Sequence, residues 1–155
     1  MMPAHVFEPQ NPDFEAATRE SFARQGLMAH LGIRIVEVRP GSVTLEVPFS
    51  DALTQQHGHF HGGVMGAIGD SAAGYAAFTL TPPGSAVVSV EYKINMTAPG
   101  DGERLIAHGT VKRAGRTLIV TNADVFVAKA GTQSLCATIL QTIMVLPANE
   151  TRPAG

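Results

Sequence analysis

Between Asp51 and Glu91 the chain carries one side chain of the Asp, Glu, Lys or Arg type, Asp70, in a stretch dominated by Gly, Ala, Val, Ile, Met and Phe. Within it, residues 61–80 show neither the alternation of a strand nor the single apolar stripe of a surface helix. A helix that is apolar on nearly every side has to be buried. Five glycines (Gly62, Gly63, Gly66, Gly69 and Gly74) lie in this segment, and each weakens a helix by about 1 kcal/mol relative to Ala. Packing must compensate, and the same small residues let strands or another helix approach closely. Pro82-Pro83-Gly84 ends the segment.

The rest of the chain reads as the sheet that would cover such a helix. Residues 33–38 and 42–47 nearly alternate, and Pro40-Gly41 between them makes a hairpin. Residues 86–96, 104–113, 117–128 and 133–145 are further strand runs. They are separated by Ala98-Pro99-Gly100-Asp101-Gly102, Ala114-Gly115 and Lys129-Ala130-Gly131, which predicts an antiparallel meander of four strands. Ahead of the sheet, Asp13 can cap a helix over 14–30, with Phe14, Ala17, Phe22 and Leu27 as its apolar positions and Gly32 as its stop. Residues 1–12, with Pro3, Pro9 and Pro12, read as an irregular arm, 48–60 as a loop and 147–155 as a flexible tail. The expectation is one α+β domain over 1–155, with about six strands around one long central helix.

Composition narrows the function classes. A formal charge of −2 gives no electrostatic reason to bind nucleic acid. Hydrophobic residues make up 45% and charged residues 15%, so part of the surface should be covered by other subunits. The lone cysteine, Cys136, excludes an intrachain disulfide framework and fits a reducing compartment. The first fourteen residues lack the basic and apolar regions of a secretory signal, and no apolar run reaches the ~18 residues of a membrane span. These readings predict a cytoplasmic protein with no membrane partner.

Asp70 is the first candidate for chemistry. A carboxylate among apolar neighbours is costly unless paired or hydrogen-bonded, and such groups cluster at functional sites. The plainer alternative is an aspartate on an exposed helix edge. His57, His59 and His61 alternate and could meet a zinc ion if extended. Gly58 and Gly63 suggest a turn instead, and no further Cys/His cluster follows, so no metal is expected. There is no G-x-S-x-G elbow.

The run Gln55-Gln56-His57-Gly58-His59-Phe60-His61-Gly62-Gly63, followed by Asp70, resembles the PaaI-type acyl-CoA thioesterases of the hotdog superfamily. Gln55 stands six residues before His61 and Asp70 nine after it, as in that family. The Val88-Ser89-Val90-Glu91-Tyr92 strand, the Ala98-Pro99-Gly100 break and the Ala114-Gly115-Arg116 turn add to the likeness, which spans roughly residues 25–146. The resemblance implies a hotdog fold, an obligate dimer that often pairs into a dimer of dimers, and acyl-CoA hydrolysis with CoA as part of the substrate and no bound cofactor. It implies that His61 orients Gln55 or the carbonyl, although His61 is as readily a helix cap. Gln55 supports the carbonyl or the nucleophile. Ser89 helps position water; its alternative is a small inward-facing strand residue.

The same chemistry can be argued from the residues. Backbone N–H groups at Gly62 and Gly63 lack helical acceptors and sit at the positive end of the helix dipole. They could polarise a thioester carbonyl while Asp70 acts as nucleophile or general base. Eight residues of helix separate Gly62 from Asp70, about 12 Å, so one carbonyl cannot meet both from one helix. The site should therefore be shared across a two-fold axis. Phe60, Met65, Ile68, Tyr75 and Phe78 lie on or beside that helix and predict an apolar pocket for aromatic or medium-chain acyl groups. Lys112, Arg113 and Arg116 could hold CoA phosphates or be a solvated hairpin tip. Two rivals stand beside the thioesterase: a hotdog dehydratase or hydratase, and a non-catalytic acyl-CoA-binding protein.

Overall fold

The all-round apolar segment forms the helix around which everything else is arranged. In the computed structural model, which describes residues 6–151, this helix is α3, Gly62–Phe78, with eleven of its seventeen residues buried. Two helices precede the sheet, α1 (Phe14–Ala23) and α2 (Gly26–Leu31). Six strands follow in chain order: β1 Arg34–Arg39, β2 Ser42–Pro48, β3 Ala86–Met96, β4 Arg104–Ala114, β5 Leu118–Lys129 and β6 Thr132–Leu146. They make one antiparallel sheet in the order β1-β2-β4-β5-β6-β3. Val43, Leu45, Leu105, Ala107, Val125, Ile139 and Ile143 form the inward rows against Ile68, Ala72 and Ala76 of α3.

Two glycines set how closely the helix approaches that sheet. A Cβ on Gly109 of β4 would run into the backbone carbonyl of Ala72, and one on Gly69 would run into the Ile139 side chain. Added volume at Gly109 would have to move the backbone of α3, whereas at Gly69 the end of the Ile139 side chain would have to shift.

Three expectations need correction. The four late strands are not a simple meander: β4, β5 and β6 are, but β3 pairs with β6 and lies at the sheet edge. After Met96 the chain does not turn back. Thr97 N–H bonds Cys136 O, and Gly100 O accepts from Phe60 N–H. This carries residues 97–103 across the start of α3 before β4 pairs with β2.

The helix expected over 14–30 breaks at Arg24-Gln25, where Gln25 is extended. In one continuous helix Met28 would point about 240° around from Phe22; the break lets both be buried, while Leu27 is exposed. Asp13 makes no side-chain cap. Its N–H bonds the Asn11 side chain instead. Gly32 ends α2 at φ 76°, in the left-handed region that favours glycine.

The arm and tail expected to be irregular form no helix or strand where they are described, and each is nonetheless anchored. Phe7 sits against Gly41, and Gln10 Nε2 donates to Leu80 O at 2.9 Å. Residues 147–151 close a turn, with Glu150 N–H bonded to Pro147 O. The remainder of the expected arm and tail, residues 1–5 and 152–155, lies outside the described residues. Among the described residues, no helix is long and apolar enough to cross a membrane.

Candidate functional site

Gly62, Gly66, Asp70 and Gly74 recur every four residues, so they form one row along α3. Edge strand β3 runs along that row. Met96 lies over Gly62, where a Cβ would fall 2.6 Å from its Cε, and Tyr92 lies over Gly66, with its Oη 3.2 Å from a Cβ there. Ser89 meets Asp70: its Oγ donates to Asp70 Oδ1 at 2.6 Å. The register of β3 shifts between Ser89 and Glu91, a bulge of the kind that re-aims a side chain beside a site.

Asp70 Oδ1 also accepts from Gln141 Nε2, and the same nitrogen donates to Ser89 Oγ at 2.8 Å. One carboxylate oxygen is thus held by two donors, while Oδ2 has no partner among the described residues. Asp70 is half-buried and opens on a cavity of about 230 Å³. Ser21, Arg24, Gln25, Tyr75, Phe78 and Ser85 contribute to its lining. Tyr75 Oη lies 3.1 Å from Ser21 Oγ, which ties α1 to α3. Burial pushes the Tyr75 phenol above its ordinary range, opposed by hydrogen bonds from Ser21 and Gln25 and by the Arg24 charge.

The start of α3 is built separately. His61 is its N-cap, and His61 Nδ1 accepts from Gly63 N–H at 2.7 Å. That bond makes Nδ1 the unprotonated nitrogen and gives His61 the capping geometry. It also occupies the Gly63 N–H. His61 O accepts from Val64 and Met65. The Gly62 N–H alone in this first turn has no acceptor among the described residues. It faces a cleft of about 600 Å³ lined by Gln55, Phe60, Met65, Met96 and the 97–100 crossover.

Gln55 Oε1 accepts from His57 N–H, so its amide NH₂ end has no partner among the described residues. His57 and His59 border the same cleft, whereas His61 and Gly63 lie on a different concavity with Leu27 and Leu53. Among the described residues, no group of three His, Cys, Asp or Glu side chains is placed to hold a metal ion.

Asp70 and Gly62 therefore do not share a cavity within one chain. The two concavities have no lining residue in common, and the unbroken helix between them sets the two residues' backbones about 12 Å apart along its axis. Of the expected apolar lining, Phe60 and Met65 belong to the Gly62 cleft, and Tyr75 and Phe78 to the Asp70 cavity. Ile68 is fully buried core. Arg113 and Arg116 are exposed, and neither forms an ion pair among the described residues. Arg116 lines a further concavity that shares Ser85 with the Asp70 cavity.

Gln141 was missed by sequence reasoning. It stands between Ile139 and Ile143 in the inward row of β6, a polar residue at a position whose neighbours are all core. Ser21, Arg24 and Gln25 were also missed, because a helix continuous through residue 30 would not bring its middle to α3 in this way.

Over residues 57–134, just over half of the chain, the sequence matches the family model described as the thioesterase superfamily. A candidate esterase of Halobacterium salinarum is 30% identical over 124 residues, 72% of this chain and 82% of that protein. The crystal structure of a thioesterase family protein from Silicibacter pomeroyi superposes with a TM-score of 0.85 at 44% identity, covering 86% of this chain and 98% of that one. The PaaI protein from the phenylacetic acid degradation operon of E. coli gives 0.79 at 19% identity, covering 89% and 96%; at that identity the likeness is one of fold. The matched region holds the start of α3, Asp70 and the edge strand against it, and the chain belongs to the thioesterase superfamily, with the hotdog fold of PaaI-type members.

Proposed function

We propose that this thioester hydrolase acts on acyl-CoA, with aromatic or medium-chain acyl groups preferred over acetyl, at two sites shared within a homodimer. The observation that carries this reading is the division of the polar groups. Asp70 has one oxygen fixed by Ser89 and Gln141 and the other without a partner. The unoccupied Gly62 N–H lies in a different concavity of the same chain. An antiparallel pair of α3 helices about a two-fold axis would bring Gly62 of each chain to Asp70 of the other.

The edge strand supports the pairing. β3 is eleven residues long, lies at the sheet edge and exposes Val88, Val90, Tyr92 and Met96. A long apolar edge left open invites pairing with another chain. Two such dimers would then associate as a dimer of dimers.

In the shared site, the Gly62 N–H and the Gln55 amide donate to the thioester carbonyl oxygen as it gains negative charge. Asp70 Oδ2 acts at the carbonyl carbon, either by direct attack or by taking a proton from water. Direct attack expels CoA as thiolate and leaves an acyl–Asp70 anhydride that water then hydrolyses, whereas attack by water gives a tetrahedral intermediate that breaks its C–S bond; on either route water supplies the oxygen of the free acid and the proton with which CoA leaves as thiol. Ser89 keeps the carboxylate aimed. His61 works at one remove, by capping α3 so that the Gly62 N–H stays available. Phe60, Met65 and Met96 on one side and Tyr75 and Phe78 on the other offer the acyl group apolar contact. Arg113 and Arg116, at the end of the sheet nearest Asp70, take the CoA phosphates.

Release of free thiol from acetyl-, hexanoyl-, phenylacetyl- and benzoyl-CoA tests the proposal, with Asp70→Asn beside the native chain. The expected result is turnover of the larger acyl groups and a loss of about 10²–10⁴-fold or more in the variant. Each CH₂ buried is worth about 0.8 kcal/mol, so selectivity should climb several-fold per methylene until the pocket is full. Acetyl-CoA as the best substrate would refute the apolar pocket. Binding without thiol release would point to an acyl-CoA-binding protein, and water addition to an enoyl-CoA to a hydratase. Near-native activity in Asp70→Asn would reject the role of Asp70.

A further inference from the structure

Gln141 is fully buried, and its environment is uneven. Its amide nitrogen makes two hydrogen bonds, to Asp70 Oδ1 and Ser89 Oγ. Its carbonyl oxygen, Oε1, is buried with no partner. The carboxylate fixes which end is which, since only the NH₂ end can face a carboxylate oxygen. The three groups close a ring. Gln141 donates to Asp70 and to Ser89, and Ser89 donates to Asp70, so every donor in the ring has an acceptor and every bond points toward holding one carboxylate oxygen.

The strand register supplies a second observation. Directly opposite Gln141 on β5 stands Thr121, fully buried, whose hydroxyl is also without a partner. Buried polar groups without partners are rare in folded proteins, and two facing each other across neighbouring strands are complementary: a hydroxyl donates, an amide carbonyl accepts. Opposite residues of a β ladder have Cβ atoms about 5 Å apart, within reach of such a bond after a side-chain rotation. On its other side Gln141 is paired with Tyr92 of β3. An apolar residue in this inward row would satisfy the core better than a glutamine whose acceptor is stranded. The cost of burying it is understandable if the amide serves Asp70.

We propose that Gln141 is a positioning residue that holds Asp70 in its working rotamer, with Thr121 orienting the Gln141 amide from behind. The inference rests on Asp70 being the reacting carboxylate. Gln141 itself does not line the cavity, so it acts only through Asp70 and Ser89. Arg24 and Tyr75 are the other ionisable side chains lining that cavity, and both stay unchanged in the variants below.

The test compares Gln141→Met, Gln141→Glu, Thr121→Val and Thr121→Ser with Asp70→Asn, using thiol release from whichever acyl-CoA the native enzyme turns over best. Gln141→Met keeps the volume and removes both donors. It should lower kcat on the order of 100-fold, the scale of a misplaced reacting group, with KM unchanged. Gln141→Glu keeps the shape and sets a second carboxylate beside Asp70. Like charges at that distance disfavour double ionisation, so the acid limb of the kcat profile should move up by about one pH unit or more. That limb moves only if residue 141 touches the carboxylate that works in turnover, so the Glu variant tests the contact, and the fall in kcat at unchanged KM in Gln141→Met tests the positioning. Thr121→Val should lower kcat and Thr121→Ser should restore it.

Unchanged kcat in Gln141→Met and an unmoved acid limb in Gln141→Glu, with Asp70→Asn inactive, would overturn this proposal and leave the role of Asp70 standing. An active Asp70→Asn would overturn both. Equal kcat in Thr121→Val and the native enzyme would remove Thr121 from the network.

Discussion

Mixing two inactive variants, Asp70→Asn and Gly62→Val, should restore about a quarter of native activity. The first removes the carboxylate from one half of the proposed site. The second closes the other half. A Cβ at Gly62 falls 2.6 Å from Cε and 2.7 Å from Sδ of Met96. These atoms end a flexible side chain, so valine displaces Met96 into the cleft and leaves α3 intact. A carbonyl oxygen lies about 3 Å from its donor, and its carbon about 3.5 Å from the attacking atom. One thioester therefore spans no more than about 8 Å between the two groups, short of the ~12 Å that eight helical residues impose.

In a mixed dimer, one site combines the intact Gly62 of one chain with the intact Asp70 of the other, and the second site holds both defects. Random exchange at equal concentrations makes about half of the dimers mixed, hence about a quarter of all sites whole. Exchange would be followed by native mass spectrometry and activity by thiol release. Mixed dimers without activity would refute the shared site, because a chain that completes its own site gains nothing from a partner.

Two more outcomes are expected. Replacing Val88 and Val90, 43% and 54% exposed on β3, by lysine should shift the protein toward monomer in light scattering and reduce thiol release by at least about 10-fold, since charged edges resist strand pairing; a fully active monomer would contradict the shared site. Burial pushes the Cys136 thiol from 9.0 up to about 11, so the folded chain keeps a proton that the unfolded chain releases. The associated stability is present below pH 9.0 and is lost as pH rises toward about 11; denaturant titrations across that window should show a shallower decline in Cys136→Ala.

How much of this was legible in the sequence depended on the kind of signal. Asp70 and the central helix were legible because burial leaves a compositional mark: one charge in an apolar run can be seen without knowing what surrounds it. The six strands were legible from alternation, but alternation does not say which strand lies beside which. The β3–β4 break reads as one more turn, yet a connection of seven residues, 97–103, with Pro99 inside it can cross the helix start, and here it does. His61 could not be resolved from residue type, since an imidazole suits both a cap and a site; a 2.7 Å bond to Gly63 gives it the capping geometry. Gln141 was visible in principle, as the polar member of the row Ile139, Gln141, Ile143, but only once each strand is read for the direction of its side chains.

The edge position of β3 connects these points to the composition. A chain with 45% hydrophobic and 15% charged residues has more apolar surface than one small core needs. Counting residues could not locate the excess. With β3 at the edge, part of it falls on Val88, Val90, Tyr92 and Met96, along the strand that lies over Gly62 and carries Ser89 to Asp70. Partner binding and catalysis would then draw on the same eleven residues. Tyr92 and Met96 lie close over α3 because it presents glycine beneath them at Gly66 and Gly62, and in the proposed site glycine at Gly62 would also leave room for a carbonyl at the helix start. Adding a side chain at either glycine would press on the edge strand and on the candidate site together, so the proposed dimer surface and the proposed catalytic groups could not be varied independently.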